Sequence, residues 1–224
     1  EEIVMSLVFP VGPEGNLLSA PGQEHSERLI VRHPVLTLEE MATLKNNEYK
    51  NADGSTKFKS TTIDITFPVG SGVDGMLAVR LSLRHVSTPI LPLSRLISCF
   101  CSLQALERIC DEAADAIQGG EFGEKGAQAV VLSDKFAGPD RMALPSLLAV
   151  GAVHHHLIGT KQRPKAAVFA EVGDAKEVHD YATIFGYGCD GVCPYMAYEA
   201  LCKMNADGMV EAKAKQEFTD EEIV

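Results

Sequence analysis

The chain has 224 residues and a formal charge of −11, long enough for one domain with a sizeable core, or for one domain and a linker. That acidic balance argues against nucleic acid and anionic membrane surfaces as partners, since both select for lysine and arginine clusters. No stretch approaches the roughly 18 consecutive apolar residues of a membrane helix, and the most apolar region, residues 86–101, is broken by Pro89, Pro92 and Arg95.

In chain order, residues 1–27 carry Pro10, Gly12, Pro13, Gly15, Pro21 and Gly22 and read as an extended, irregular leading segment. Glu1-Glu2-Ile3-Val4 is acidic and lacks the basic start of a signal peptide. It also lacks an initiator methionine, which suggests a piece of a longer polypeptide. Thr37 with Glu40 forms a capping box ahead of a short helix through Met41 and Leu44. Residues 46–59 are polar and turn-rich, a loop by composition. Residues 61–67 alternate, with Ile63 and Ile65 on one face and Asp64 and Thr66 on the other, which predicts a strand. Leu106, Ile109, Cys110, Ala113 and Ile117 form one helical stripe over residues 106–118, and Gly119-Gly120 ends it.

From Ala129 to Tyr198 one pattern recurs three times: a short apolar run, a turn, then an amphipathic helix. The first run is Ala129-Val130-Val131-Leu132, with a helix through Leu147, Leu148, Val153 and Ile158. The second is Ala166-Ala167-Val168-Phe169, with a helix through Val178, Tyr181, Ala182 and Phe185. The third is Gly191-Val192-Cys193, with a helix through Met196, Leu201 and Met204. Short, continuously apolar strands alternating with helices predict an α/β fold of mostly parallel βα repeats, buried on both faces and joined by right-handed crossovers. The α/β pattern occupies residues 28–205, and residues 206–224 turn polar, ending in a solvated charged stretch over 213–222.

Candidate chemistry is sparse. His154-His155-His156 suggests zinc, but adjacent helical residues point about 100° apart, and the i+4 partners are Ile158, Gly159 and Thr160. One packed, hydrogen-bonded histidine with its neighbours at a domain contact is the better reading. Cys99, Cys101, Cys110, Cys189, Cys193 and Cys202 lack framework spacing, so reduced thiols in a cytosolic or stroma-like compartment are expected. Cys189 and Cys193 have no second pair to complete a metal site, and Cys193 reads as a small buried hydrophobe. Asp134 and Glu171 close strands at their carboxyl ends, where parallel sheets place binding crevices, and could face each other as an acid/base pair. The alternative, favoured here, is that they cap helices or pair with Lys135, Arg141 or Lys176. Asp190 is a third carboxylate of the region, Ser133 lies outside any nucleophile elbow, and Gly173-Asp174-Ala175 is too short for a phosphate loop. No residue is assigned a catalytic, cofactor-binding or metal-binding role.

Leu132-Ser133-Asp134, the run from Leu147 to Leu157, Glu177-Val178-His179, Gly186-Tyr187-Gly188 and Cys193-Pro194-Tyr195-Met196-Ala197 closely resemble the central domain of glutamate synthase. Upstream, Met5-Ser6-Leu7, the stretch Gly12 to Leu18, Pro34-Val35-Leu36-Thr37 and the stretch Ile63 to Pro68 match the first half of that domain. The resemblance implies a rudimentary, incomplete flavin-type (β/α) barrel that has lost its cofactor site. It implies a connecting role between a glutaminase domain and a flavin-binding domain of the same polypeptide, with a share in the walls of an ammonia channel. The whole enzyme converts glutamine and 2-oxoglutarate to two glutamates. It uses FMN, an iron–sulfur cluster, and FAD with NAD(P)H, or ferredoxin; none of these is expected in this stretch. Ile3-Val4-Met5-Ser6-Leu7 and Val192-Cys193-Pro194-Tyr195 look more like the NAD(P)H-dependent eukaryotic form.

Two departures stand out. The Ser-Asp-Arg of the family is Ser133-Asp134-Lys135 here, which weakens any bidentate contact the arginine makes. Residues 79–104 interrupt the family pattern; the joint from Ala78 to Ala105 restores it. Valine codons begin with GT and glutamine can be CAG, so the block reads as a retained intron, or else as a genuine inserted loop. A stand-alone flavin or metal enzyme built on a barrel and a pure interaction module are the competing classes.

Overall fold

Every residue of Ala129–Ser133 and of Ala167–Glu171 is buried, which places these two strands at the centre of a sheet covered on both faces. The computed structural model describes residues 7–14, 28–46, 58–68, 93–118 and 126–209, with the backbone alone for 93–102. Its elements in order are β1 (Phe9–Val11), β2 (Leu29–Val31), α1 (Leu38–Lys45), β3 (Ser60–Asp64), β4 (Thr66–Pro68) and α2 (Leu93–Gln118). They continue with β5 (Ala129–Ser133), β6 (Arg141–Ala143), α3 (Ser146–Gly159), β7 (Ala167–Glu171), α4 (Val178–Gly186), β8 (Gly191–Cys193) and α5 (Tyr195–Ala206). The main sheet runs β3-β5-β7-β8, and every pairing in it is parallel. The chain is therefore an α/β protein with a four-stranded parallel sheet, as the repeat pattern predicts.

Strand alternation divides the core. Ile63, Val130, Leu132, Val168, Ala170 and Val192 face α2, α3 and α4. Ala129, Val131, Ala167, Phe169 and Cys193 face the opposite way, onto Met41 and Leu44 of α1 and onto Val11 and Val31 of the β1–β2 ribbon. The open edge of β8 is bridged by the segment before α1: Leu36 N–H donates to the Val192 carbonyl and Val192 N–H to that of Pro34, both at 2.8 Å. That bridge blunts the edge. The capping box forms as expected, with Thr37 Oγ1 accepting from Glu40 N–H at 3.2 Å and Glu40 returning the contact at 3.1 Å.

Several expectations change. The predicted strand over residues 61–67 is two strands, because Asp64 Oδ1 accepts from both Thr66 N–H (2.8 Å) and Thr66 Oγ1 (2.6 Å) and turns the chain at Ile65. β4 then pairs antiparallel with β6. The irregular leading segment contains β1, a three-residue strand that admits Pro10 because it has no neighbour on its other side among the described residues. The stripe of α4 is Tyr181, Ile184 and Phe185, while Val178 is 84% exposed. In α5 the residues expected to pack, Met196, Leu201 and Met204, are 45%, 39% and 42% exposed, and Tyr198 packs against the core. Helix α2 carries the predicted stripe, with Ile109, Cys110, Ala113 and Ile117 buried, and extends back to Leu93. Residues 79–92, 119–120 and 213–222, and nearly all of the loop at 46–59, lie outside the described residues.

Candidate functional site

Register aligns Asp64, Ser133, Glu171 and Cys193 in one row at the carboxyl ends of the four parallel strands. This is the crevice edge of a parallel sheet. Glu171 is 2% exposed. Its Oε2 accepts from the Ser133 hydroxyl at 2.6 Å and from Lys45 Nζ at 2.8 Å, and its Oε1 accepts from Lys135 Nζ at 3.2 Å. Burial alone pushes this carboxyl up, but the bonds from Lys45 and Ser133 and the two ammonium charges outweigh it and bring the group below its usual range. Lys135 was an expected partner. Lys45 was not: it stands at the end of α1, and its partner lies far along the chain.

Asp134 sits one residue beyond the row and ties two loops together. Its Oδ2 accepts from Gly173 N–H at 2.7 Å, and its own N–H donates to the Glu171 carbonyl at 3.2 Å. The Tyr195 phenol interacts with the same carboxyl, yet Oδ1 is buried without a hydrogen-bond partner of good geometry among the described residues. Burial raises this carboxyl, opposed by the Gly173 and Tyr195 contacts and reinforced by Asp174 and Glu171. The Tyr195 phenol is raised too, by burial and by Asp134, and Lys135 Nζ lies 5.1 Å from the centre of its ring. Lys135 thus makes one ionic contact, to Glu171, and one ring contact, to Tyr195.

Asp134 and Glu171 are therefore adjacent, with environments that push their proton affinities apart, the arrangement an acid/base pair needs. What their oxygens meet is other protein: Lys135 among the expected partners, and Ser133, Lys45 and Gly173 besides. Arg141 instead serves Asp64, through Oδ2 at 2.5 Å, and Thr66 Oγ1 at 2.8 Å. Lys176 contributes its backbone N–H to Asp180. Asp174, from the same loop, caps α3 by accepting from Ser146 N–H at 3.0 Å. Arg108 donates to the carbonyls of Asp64 (2.8 Å) and Thr66 (3.0 Å), and with Arg141, Phe67 and Gln104 it lines a cleft of about 340 Å³.

At the amino ends of β7 and β8 a second cluster centres on Arg163, which sequence reasoning missed. Its guanidinium donates to His154 Nδ1 (3.0 Å), the Ala166 carbonyl (2.8 Å), the Gly188 carbonyl (2.9 Å) and Asp190 Oδ2 (2.8 Å). Asp190 Oδ2 also accepts from Val168 N–H at 2.7 Å. His154 is the hydrogen-bonded histidine of the triplet, and His155 packs edge-on against it and is exposed. Burial, then the charges of Arg163 and His155, hold the His154 imidazole below its usual range, with Asp190 opposing. An Nδ1 that accepts from a guanidinium belongs to a neutral ring. Among the described residues no three His, Cys, Asp or Glu side chains form a metal-ligand group. The Cys189 and Cys193 thiols are both pushed up to about 12, first by burial, which leaves them protonated and unreactive. No described helix is long and apolar enough to cross a membrane.

A four-stranded parallel sheet covered on both faces, with ion pairs along its carboxyl edge, defines an α/β domain. The glutamate synthase central domain family matches residues 1–222, and the chain belongs to that family. It is 40% identical over 204 residues to glutamate synthase [NADH] of Schizosaccharomyces pombe, covering 91% of this chain and 8% of that protein. It is 33% identical to glutamate synthase [NADH] of Saccharomyces cerevisiae, over 94% of this chain and 8% of that protein. With the chloroplastic ferredoxin-dependent glutamate synthase of Oryza sativa it shares 31% identity, over 89% of this chain and 10% of that protein. The chain thus spans about a tenth of the length of these relatives.

Proposed function

We propose that this chain is the connecting domain of a glutamate synthase, holding a glutaminase domain and a flavin-binding domain in register and contributing wall to the passage that carries ammonia between them. The observation that carries this reading is the carboxyl edge. The groups that would do chemistry there, Glu171, Ser133, Lys135 and Lys45, are spent on one another. Asp134 Oδ1 apart, these side chains satisfy one another, which supports spacing rather than turnover. A closed passage keeps ammonia neutral, whereas release into water at neutral pH would protonate it to a non-nucleophilic ammonium ion. The four parallel strands fit the reading of a rudimentary flavin-type barrel. Higher identity to the two NADH enzymes than to the ferredoxin-dependent one supports NADH or NADPH as the electron source, with FMN, FAD and the iron–sulfur cluster carried elsewhere. A cytosolic or stromal compartment suits six cysteines that lack framework spacing.

The test is made in the full-length enzyme. Glu171→Ala should lower glutamate formation driven by glutamine several-fold while glutamate formation driven by added ammonia stays near the parent rate. An equal loss in both reactions would overturn the positioning role, and a lack of both reactions in the parent would overturn the enzyme assignment.

A further inference from the structure

The cleft of about 340 Å³ beside the β4–β6 ribbon has no part in the connecting role. Phe67 and Pro68 of β4, Arg141 of β6, and Ala105 and Arg108 of α2 are among its walls, and no Asp or Glu lines it. Both arginines are fixed on the turn at Ile65. Arg108 Nη2 donates to the carbonyls of Asp64 and Thr66, and Arg141 Nη2 donates to the same Thr66 carbonyl. Two donors on one oxygen, at 3.0 and 3.3 Å, bring the two Nη2 atoms within about 6 Å of each other. Like charges at that distance repel. Each guanidinium has one carboxylate at its side, Asp64 for Arg141 and Glu112 for Arg108, and neither carboxylate lines the cleft. Pinning the turn uses Nη2 of both arginines and Nε of Arg141. Arg108 Nε and Arg141 Nη1 make no hydrogen bond among the described residues.

We propose that this cleft binds a small organic carboxylate, with its oxygens on Arg108 and Arg141 and its carbon chain against Phe67, Pro68 and Ala105. The inference goes beyond the connecting role and does not rest on it. Three features select this class of ligand. The spare donors belong to two guanidiniums, whose planar forks match a carboxylate and form charge-assisted hydrogen bonds with it. Backbone carbonyls hold both arginines in place before any ligand arrives, so binding costs little side-chain ordering. The remaining wall named above is carbon, which suits a short apolar chain better than a bare inorganic anion. The volume, near the lower end of the range of about 300–1,000 Å³ for ligand sites, limits the guest to a small molecule. An anion placed between the two cations also relieves their mutual repulsion.

The experiment is arginine modification by phenylglyoxal in the full-length protein, read residue by residue by mass spectrometry. The side chains of Arg108 and Arg141 are each 40% exposed, so the reagent reaches them. The probe is succinate, against sodium chloride at the same ionic strength. With a Kd of about 1 mM, succinate at about 10 mM should slow both modifications about tenfold. The exposed Arg32 is the internal control and should keep its rate. Unchanged rates at Arg108 and Arg141 overturn the proposal, and so does equal slowing at Arg32, which marks general screening. Succinamide has the same carbon chain without the charge and should protect neither arginine; protection equal to that by succinate overturns the carboxylate contact. Sodium phosphate should protect several-fold less than succinate, and equal protection assigns a bare oxyanion and overturns the organic ligand. Arg141→Lys keeps the charge without the fork. Succinate should then protect Arg108 several-fold less than in the parent, and undiminished protection overturns the shared site. Should that variant misfold, the parent measurement decides by itself.

Discussion

Glu171→Ala is the sharpest perturbation the fold offers, because one buried carboxylate serves three donors from two parts of the chain. Removing it orphans the Ser133 hydroxyl, on a residue with 0% exposure, at a cost of about 1–3 kcal/mol. Lys45 and Lys135 have side chains 26% and 45% exposed, so water replaces much of what they lose and each contributes about 0.5–1 kcal/mol. The sum is about 3 kcal/mol, at the low end of the range for breaking a buried ion pair. For a chain of this size that is a fall in Tm of about 6–12 °C. Glu171→Gln keeps an acceptor for Ser133 and should lose about half as much. The assay is urea unfolding followed by circular dichroism, with the transition midpoint moving and the slope unchanged. The pH dependence is an independent check. A carboxyl lowered in the folded state contributes stability that is complete above its unfolded value of about 4.3 and is lost as pH falls through the folded value. The difference between parent and Glu171→Ala should therefore shrink below about pH 4. A loss under about 0.5 kcal/mol at pH 7 would refute the reasoning.

At the amino edge, Gly188→Ala should cost about 2–4 kcal/mol in the same assay. Gly188 has φ +104°, and a Cβ there would lie 2.2 Å from His154 Nδ1, whose ring is pinned by Arg163. Arg163→Lys keeps the charge but not the fork that reaches four acceptors, and should lose about 1–2 kcal/mol. His154 should titrate below the usual histidine midpoint of about 6.5, read by imidazole NMR. Its depressed folded value gives stability that is full above about pH 6.5 and is lost as pH falls towards that value. Asp134 runs the other way. Its folded value is raised, so its contribution is full below about pH 3.9 and is lost as pH rises through the folded value. Asp134→Asn should accordingly compare best with the parent near pH 7 and worse in acid.

The repeat of apolar run, turn and helix determined much of this protein by itself. Strands β5, β7 and β8, helices α2 to α5 and the Thr37 capping box all follow from local periodicity and turn chemistry, which need only near neighbours in the sequence. Membership of the glutamate synthase central domain family was legible in the same residues. Lys45 and Arg163 were not. Lys45 is an ordinary basic residue ending a helix, and its partner is 126 residues away; no local pattern carries that distance. The exposure of Met196, Leu201 and Met204 escaped for a related reason: the anchor of this helix is Tyr198, which reaches Leu36 162 residues away. Tertiary structure alone fixed the row of Asp64, Ser133, Glu171 and Cys193, because register between parallel strands is set by what the crossovers bury rather than by the strands' own residues. That register brings buried charge beside its counter-charge, and it makes the carboxyl edge a sealed joint between loops.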